Sequence, residues 1–305
     1  MDLSSKIVLI SGPTASGKSE FALKLAKKIN GEIVNADSMQ VYKELQILSA
    51  RPKIKDYQNI KHHLYGFWSV KKNFSVGDWL KLSKKKITEI KKRKKVPILV
   101  GGTGLYFKSL IDGLIKIPDI PIRIRNEIRF LNKKIGQEKF YKKLIMLDKN
   151  IKNKIDPNDI QRSIRAYEVK YHTKKSLVDW YKNTKSVYDK DDFFKIYIDY
   201  PREKLIERIY VRSKKMIKDG GVNEVQKFLK LKVKKDKTAT KAIGINEISD
   251  YLDQKVDLNE IITKIAIKTR QYAKRQSTWS RGNMSDWIKI QPHGLNRFLK
   301  KNLIF

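Results

Sequence analysis

The chain has 305 residues, about 40% of them apolar, with no cysteine and no run of 18 apolar residues. That excludes disulfides, thiolate metal sites, a cysteine nucleophile and an ordinary membrane-spanning helix; residues 1–6 also lack a signal-peptide pattern, so a reducing cytoplasm is expected. The formal net charge is +36, but only 14 of the 68 basic residues are Arg, so the excess fits a nucleic-acid partner and an AT-rich codon bias equally well.

Residues 6–10 are a short apolar run bounded by Ser11-Gly12-Pro13, which predicts a buried parallel strand. Residues 19–30 show helical periodicity, with Phe21, Leu23, Leu25, Ala26 and Ile29 as core candidates and Gly31 as the expected C-cap. Residues 32–36 predict a second strand ending at Asp37-Ser38, residues 87–95 a basic helix, and residues 96–100 a third strand ending in Gly101-Gly102-Thr103-Gly104. Residues 195–199 predict a fourth strand. Strands alternating with helices predict an α/β doubly wound parallel sheet. Residues 119–192 break the alternation as successive amphipathic helices, with Ile155-Asp156-Pro157-Asn158-Asp159 as a turn and N-cap signal. The expected organisation is a core in two parts, 1–118 and 193–305, with a helical domain inserted between them.

Gly12-Pro13-Thr14-Ala15-Ser16-Gly17-Lys18-Ser19 matches G-x-x-x-x-G-K-[ST], and it lies where that motif must lie, after a strand and before a helix. The glycines let consecutive N–H groups face one anion, the helix N-terminus adds positive potential, Lys18 adds a full charge, and Ser19 can ligate Mg²⁺. The pattern predicts a diphosphate-bearing ligand without saying which. No carboxylate ends the third strand; Asp37 ends the second instead, which suits a base acting on an acceptor.

Four further segments accompany that loop. They are Asp37-Ser38-Met39-Gln40-Val41-Tyr42, Gly101-Gly102-Thr103-Gly104-Leu105-Tyr106, Pro157-Asn158-Asp159-Ile160-Gln161-Arg162-Ser163-Ile164-Arg165-Ala166, and Arg270-Gln271-Tyr272-Ala273-Lys274-Arg275-Gln276-Ser277-Thr278-Trp279. In this order, over roughly residues 6–281, they resemble the tRNA dimethylallyltransferase (isopentenyl-tRNA transferase) family. The resemblance implies a P-loop-kinase-like core with an inserted helical tRNA-binding domain. It also implies transfer of the dimethylallyl group of dimethylallyl diphosphate to N6 of the adenosine 3′ of the anticodon, with Mg²⁺ as cofactor. Asp37 is then the general base, Thr103 a hydrogen-bonding group near the amine, and Lys18 the charge on the leaving diphosphate. Arg208 and Arg212, spaced i, i+4, would form a clamp on its far side.

For RNA, the same resemblance offers Ser38, Met39 and Gln40 at the flipped base, and Gln161, Arg162, Ser163, Ile164 and Arg165 on the insertion. It adds Arg125, Thr240, Lys241, Gly244, Lys274, Arg275, Gln276, Trp279 and Arg281. A monomer is expected. The chain departs from many relatives at Lys43-Glu44-Leu45-Gln46-Ile47-Leu48-Ser49, where they carry glycines. Two rivals share the loop. A small kinase would not need the basic segments, and a non-catalytic RNA-binding P-loop module would not need Asp37.

Overall fold

A computed structural model describes residues 2–182 and 184–300. β1 (Ile7–Ser11) passes through the glycine-rich loop into α1 (Lys18–Lys28), followed by β2 (Gly31–Asn35). The edge strand β3 (His62–His63), helix α2 (Val76–Lys92), β4 (Val96–Val100) and α3 (Gly104–Ile111) come next. Four helices follow without a strand: α4 (Ile122–Ile135), α5 (Gln137–Leu147), α6 (Ile160–Thr173) and α7 (Leu177–Tyr181). The chain then forms β5 (Phe193–Ile198), α8 (Arg202–Lys218), α9 (Gly221–Lys230), α10 (Ile245–Leu252), α11 (Leu258–Asn283), β6 (Ile288–Ile290) and α12 (Pro292–Lys300).

All six strands are parallel, in the order β3-β2-β4-β1-β5-β6. Parallel strands are covered on both faces, so they read as continuous apolar runs rather than alternating ones. Every residue of β1, β2 and β4 is buried accordingly. One apolar cluster joins the sheet to α1 and α12 through Phe21, Leu25, Ile98, Ile196 and Phe298, while α2 packs against β2 and β4. The order places β4 between β2 and β1, with Ile10 and Asn35 both registered on Val100. The three loops that leave these strands therefore emerge side by side, at the carboxyl ends where ligands bind in open α/β sheets.

The expected C-cap at Gly31 is corrected. The left-handed residue that ends α1 is Asn30, at φ 49°, and Gly31 is already the first residue of β2. Its lack of a side chain makes room for Ile98 on β4: a Cβ would meet Ile98 Cδ1 at 2.6 Å. The basic helix expected over 87–95 overlaps only the last third of α2, which ends at Lys92 and whose start is fixed by a capping box between Ser75 and Asp78.

The chain divides into two compact units, residues 1–111 with 188–305, and residues 112–187. The second has its own apolar interior, built from Leu144, Ile151, Ala166 and Val169, with Phe140, Ile128 and Ile164 beside it. Asp159 caps α6 by accepting from the Arg162 amide at 3.0 Å. No helix among the described residues is long and apolar enough to cross a membrane.

Candidate active site

The loop from Gly12 to Gly17 is held in a tight curl, with φ of 154° at Gly12, 64° at Ala15 and 86° at Gly17. Gly17 directly precedes α1, so the loop amides and the helix N-terminus share one concavity. The Ser16 hydroxyl is buried in this curl with no hydrogen-bond partner among the described residues. Lys18 Nζ donates to the Pro13 carbonyl at 2.7 Å. Burial lowers its ammonium to about 8, with Asp37 pulling it up and Arg212 pushing it down.

The two α8 arginines expected as a clamp both reach the glycine-rich loop. Arg208 Nε donates to the Ala15 carbonyl at 2.9 Å, and Arg212 Nη1 to Thr14 Oγ1 at 2.8 Å. The i, i+4 spacing puts both guanidinium groups on the helix face that meets the loop. Burial also lowers the Arg212 guanidinium below its usual range, against the pull of Asp37.

Asp37 leaves β2 in a turn that it closes itself, its Oδ1 accepting from the Met39 amide at 2.9 Å. Asn35, fully buried, fixes the turn: its Oδ1 accepts from the Asp37 amide at 2.9 Å, and its Nδ2 donates to the Asp37 and Leu64 carbonyls, each at 3.0 Å. The Asn35 carbonyl in turn accepts from Trp79 Nε1 at 2.7 Å, and the Trp79 ring stacks on Tyr106 at 4.4 Å. Thr103 joins the third loop to this turn, its Oγ1 accepting from the Ser38 amide at 3.0 Å and its own amide donating to Ala36. The loops come this close because Gly101 has no side chain; a Cβ there would lie 2.0 Å from the Ala36 carbonyl oxygen. Burial first, and then the negative charge of Asp37, push the Tyr106 and Tyr272 phenols up; Tyr65 is raised by burial, Tyr57 and Asp37. These phenols stay protonated donors at neutral pH.

Loop, carboxylate and clamp line one cleft of about 650 Å³, which includes Ser16, Lys18, Ser19, Asp37, Gln40 and Arg212. Among the described residues no cluster of three His, Cys, Asp or Glu side chains could hold a metal by itself. Ser19, exposed in the first turn of α1, and Asp37 are among the oxygen-bearing residues of this cleft, with Glu20 and Glu207 also lining it, and could share a metal with a phosphate ligand. A smaller cavity of about 230 Å³ is lined by Gly12, Thr103, Leu105, Tyr272, Arg275 and Trp279.

The remaining sequence candidates fall in different environments. Gln276 bridges two loops, its Oε1 accepting from the Thr14 amide at 2.8 Å and its Nε2 donating to the Gly102 carbonyl at 2.9 Å. Trp279 lies over Gly104, where a Cβ would meet the indole at 2.2 Å. Lys274, Arg275 and Arg281 are exposed along α11. Lys241 is exposed and Thr240 half-buried in a short 3-10 turn, while Gly244 caps α10 at φ 107° with its amide on Glu247. In the insertion, Gln161 and Arg162 are exposed and Arg162 pairs with Asp159 at 3.4 Å. Arg165 pairs with buried Glu168 at 3.5 Å, and half-buried Arg125 adds its charge to the same carboxylate. Ser163 and Ile164 are corrected from RNA contacts to interior residues: α6 turns both inward, and Ser163 Oγ accepts from Gln137. Sequence reasoning missed Asn35, whose side-chain amide bonds both sides of Asp37 and reaches Leu64. It also missed Tyr65 and Trp79, which the fold brings to this turn from elsewhere in the chain, and Glu224.

A parallel α/β core with a glycine-rich anion loop and a strand-end carboxylate in one cleft places the chain in the P-loop class. The family model for IPP transferase matches residues 40–283, and the chain belongs to that family. The tRNA dimethylallyltransferase of Pelagibacter ubique is 59% identical over 301 residues, covering 99% of this chain and 96% of that protein. Its counterpart in Agrobacterium fabrum is 40% identical over 294 residues, covering 96% and 99%. Among solved structures, the full-length tRNA isopentenylpyrophosphate transferase of Bacillus halodurans superposes with a TM-score of 0.68 at 31% identity, covering 97% of this chain and 94% of that one. A eukaryotic dimethylallyltransferase captured acting on tRNA gives 0.83 at 26% identity, covering 97% and 76%.

Proposed function

We propose that the chain transfers the dimethylallyl group of dimethylallyl diphosphate to N6 of the adenosine just 3′ of the anticodon in tRNA, releasing diphosphate. The observation that carries this reading is the single cleft lined by the phosphate loop, the two α8 arginines and Asp37. In the reaction the N6 lone pair attacks C1 of the allylic donor, the C1–O bond breaks with its electrons passing to diphosphate, and the N6 proton goes to the Asp37 carboxylate. Charge grows on the leaving oxygens, so the loop amides, Lys18 and Arg212 act where they matter most for the barrier. Mg²⁺ carried by the diphosphate, with Ser19 as protein ligand, would neutralise part of the same charge.

On the acceptor side, Ser38, Met39 and Gln40 follow the base in the turn that Asn35 and Thr103 hold, and an extruded adenine would meet them there. Arg162 and Arg165 on the insertion and Lys274, Arg275 and Arg281 on α11 are offered to the RNA backbone. The absence of cysteine suits a cytoplasmic enzyme, and we take the active species to be the monomer. The test is to incubate the protein with labelled dimethylallyl diphosphate, Mg²⁺ and unmodified tRNA, with no nucleotide present. Label in the RNA together with released diphosphate is expected; transfer that strictly requires ATP hydrolysis would overturn the donor assignment.

A further inference from the structure

Residues 43–49 follow the Asp37–Gln40 turn and carry backbone amides that need partners. Three consecutive ones find the same side chain. Gln46 and Ile47 N–H donate to Glu224 Oε2 at 2.8 Å each, and Leu48 N–H donates to Glu224 Oε1 at 2.9 Å. Hydrogen bonds to an ionised acceptor are roughly twice as strong as neutral ones, so this carboxylate fixes the segment from a distance of about 176–178 residues in sequence. Glu224 stands in the first turn of α9, whose entry is set by Gly220 at φ 101°.

The segment does not end at Leu48. The next two carbonyls, of Ser49 and Ala50, accept from Gln40 Nε2 at 3.1 and 3.3 Å. Gln40, Ser49 and Ala50 all line the phosphate cleft, whereas Glu224 does not. Gln40 is three residues from Asp37 in the turn that Asn35 and Thr103 hold. A continuous run of bonds therefore leads from α9 to the acceptor wall of the cleft.

We propose that Glu224 is a positioning residue for the acceptor substrate. It orders residues 46–50, these orient the Gln40 amide, and Gln40 presents the wall against which the target base is held. Glu224 touches neither substrate. The inference rests on the reading of the Asp37–Gln40 turn as the acceptor side of a prenyl transfer.

Glu224→Gln keeps the side chain's size but turns an NH₂ toward backbone N–H groups, so at least one of the three bonds is lost. The expected result is a KM for a tRNA anticodon stem-loop raised about tenfold, with donor affinity unchanged within about twofold. Glu224→Asp, whose shorter carboxylate still accepts N–H bonds, should restore part of the loss, and it provides the test if Glu224→Gln fails to fold. A double variant with Gln40→Ala should be no worse than the poorer single variant, because the effect passes through Gln40. Equal losses of donor and acceptor affinity, fully additive effects with Gln40→Ala, or an unchanged KM would overturn the proposal. Direct binding of the stem-loop and of inorganic diphosphate gives the same ratio without turnover. A wild-type protein that transfers no prenyl group would thus refute the activity while this ratio still decides the role of Glu224.

Discussion

Lys18 sits where burial opposes its charge and the ligand would restore it. Burial lowers its ammonium to about 8, so Lys18 loses its proton over a range just above neutrality. A bound diphosphate raises that value, so the Lys18 contribution to affinity is full well below about pH 8 and fades as pH rises through it. Diphosphate titrates too, so the comparison is with Lys18→Met. The affinity gap between wild type and variant should shrink from about pH 7 to about pH 9.5, measured by calorimetry; a constant gap would mean that Lys18 stays fully charged throughout. The loop, Lys18 and Asp37 were legible as a motif and a strand end. Asn35 was not. An asparagine at the end of a buried strand looks like any polar residue at a turn, and only the fold shows it bonding to both sides of Asp37.

At the scale of elements, the four longer strands were legible because continuous β-branched runs are what a doubly covered parallel sheet requires. β3 and β6, of two and three residues, were not: edge strands this short carry no period to read. A charged residue inside β2 also escaped notice. Glu32 is fully buried yet holds Arg93 Nη2 and His63 Nε2 at 2.7 Å each. Burial works against its ionisation, but the hydrogen bonds from Arg93 and His63 outweigh it and hold the carboxyl below its ordinary value. The folded state therefore binds this proton less readily than the unfolded chain, so the contribution is present above the ordinary Glu range and is lost as pH falls below it. Glu32→Gln should cost about 1–3 kcal/mol near neutral pH, with the difference from wild type narrowing below about pH 4.5 in denaturant titrations. A pH-independent difference would contradict this ion-pair account.

For the whole molecule, the charge of +36 means that binding to any polyanion will be steeply salt-dependent, so affinity alone cannot locate an interface. Slopes can. The helical insertion was legible as a break in strand–helix alternation, but the contacts of its arginines were not, because Glu168 and Asp159 act through folded geometry. If Arg162 and Arg165 contact tRNA phosphates, replacing both with Ala should lower the salt slope by about two units, one for each lost contact. Diphosphate binding should be unaffected, since the loop and clamp are untouched. An unchanged slope would leave both residues as ion-pair partners of Asp159 and Glu168.

The account turns on Asp37 taking a proton from the accepting amine in the cleft where diphosphate leaves. Asp37→Asn preserves the side-chain shape and retains an oxygen that can accept from the Met39 amide. The decisive measurement is the single-turnover rate of this variant with tRNA and donor both saturating, across Mg²⁺ concentrations, with folding and both affinities checked. The account predicts a folded protein with near-normal affinities and a rate lowered roughly 10²–10⁴-fold at every Mg²⁺ concentration. Near-normal single-turnover chemistry, or full rescue by high Mg²⁺, would contradict it.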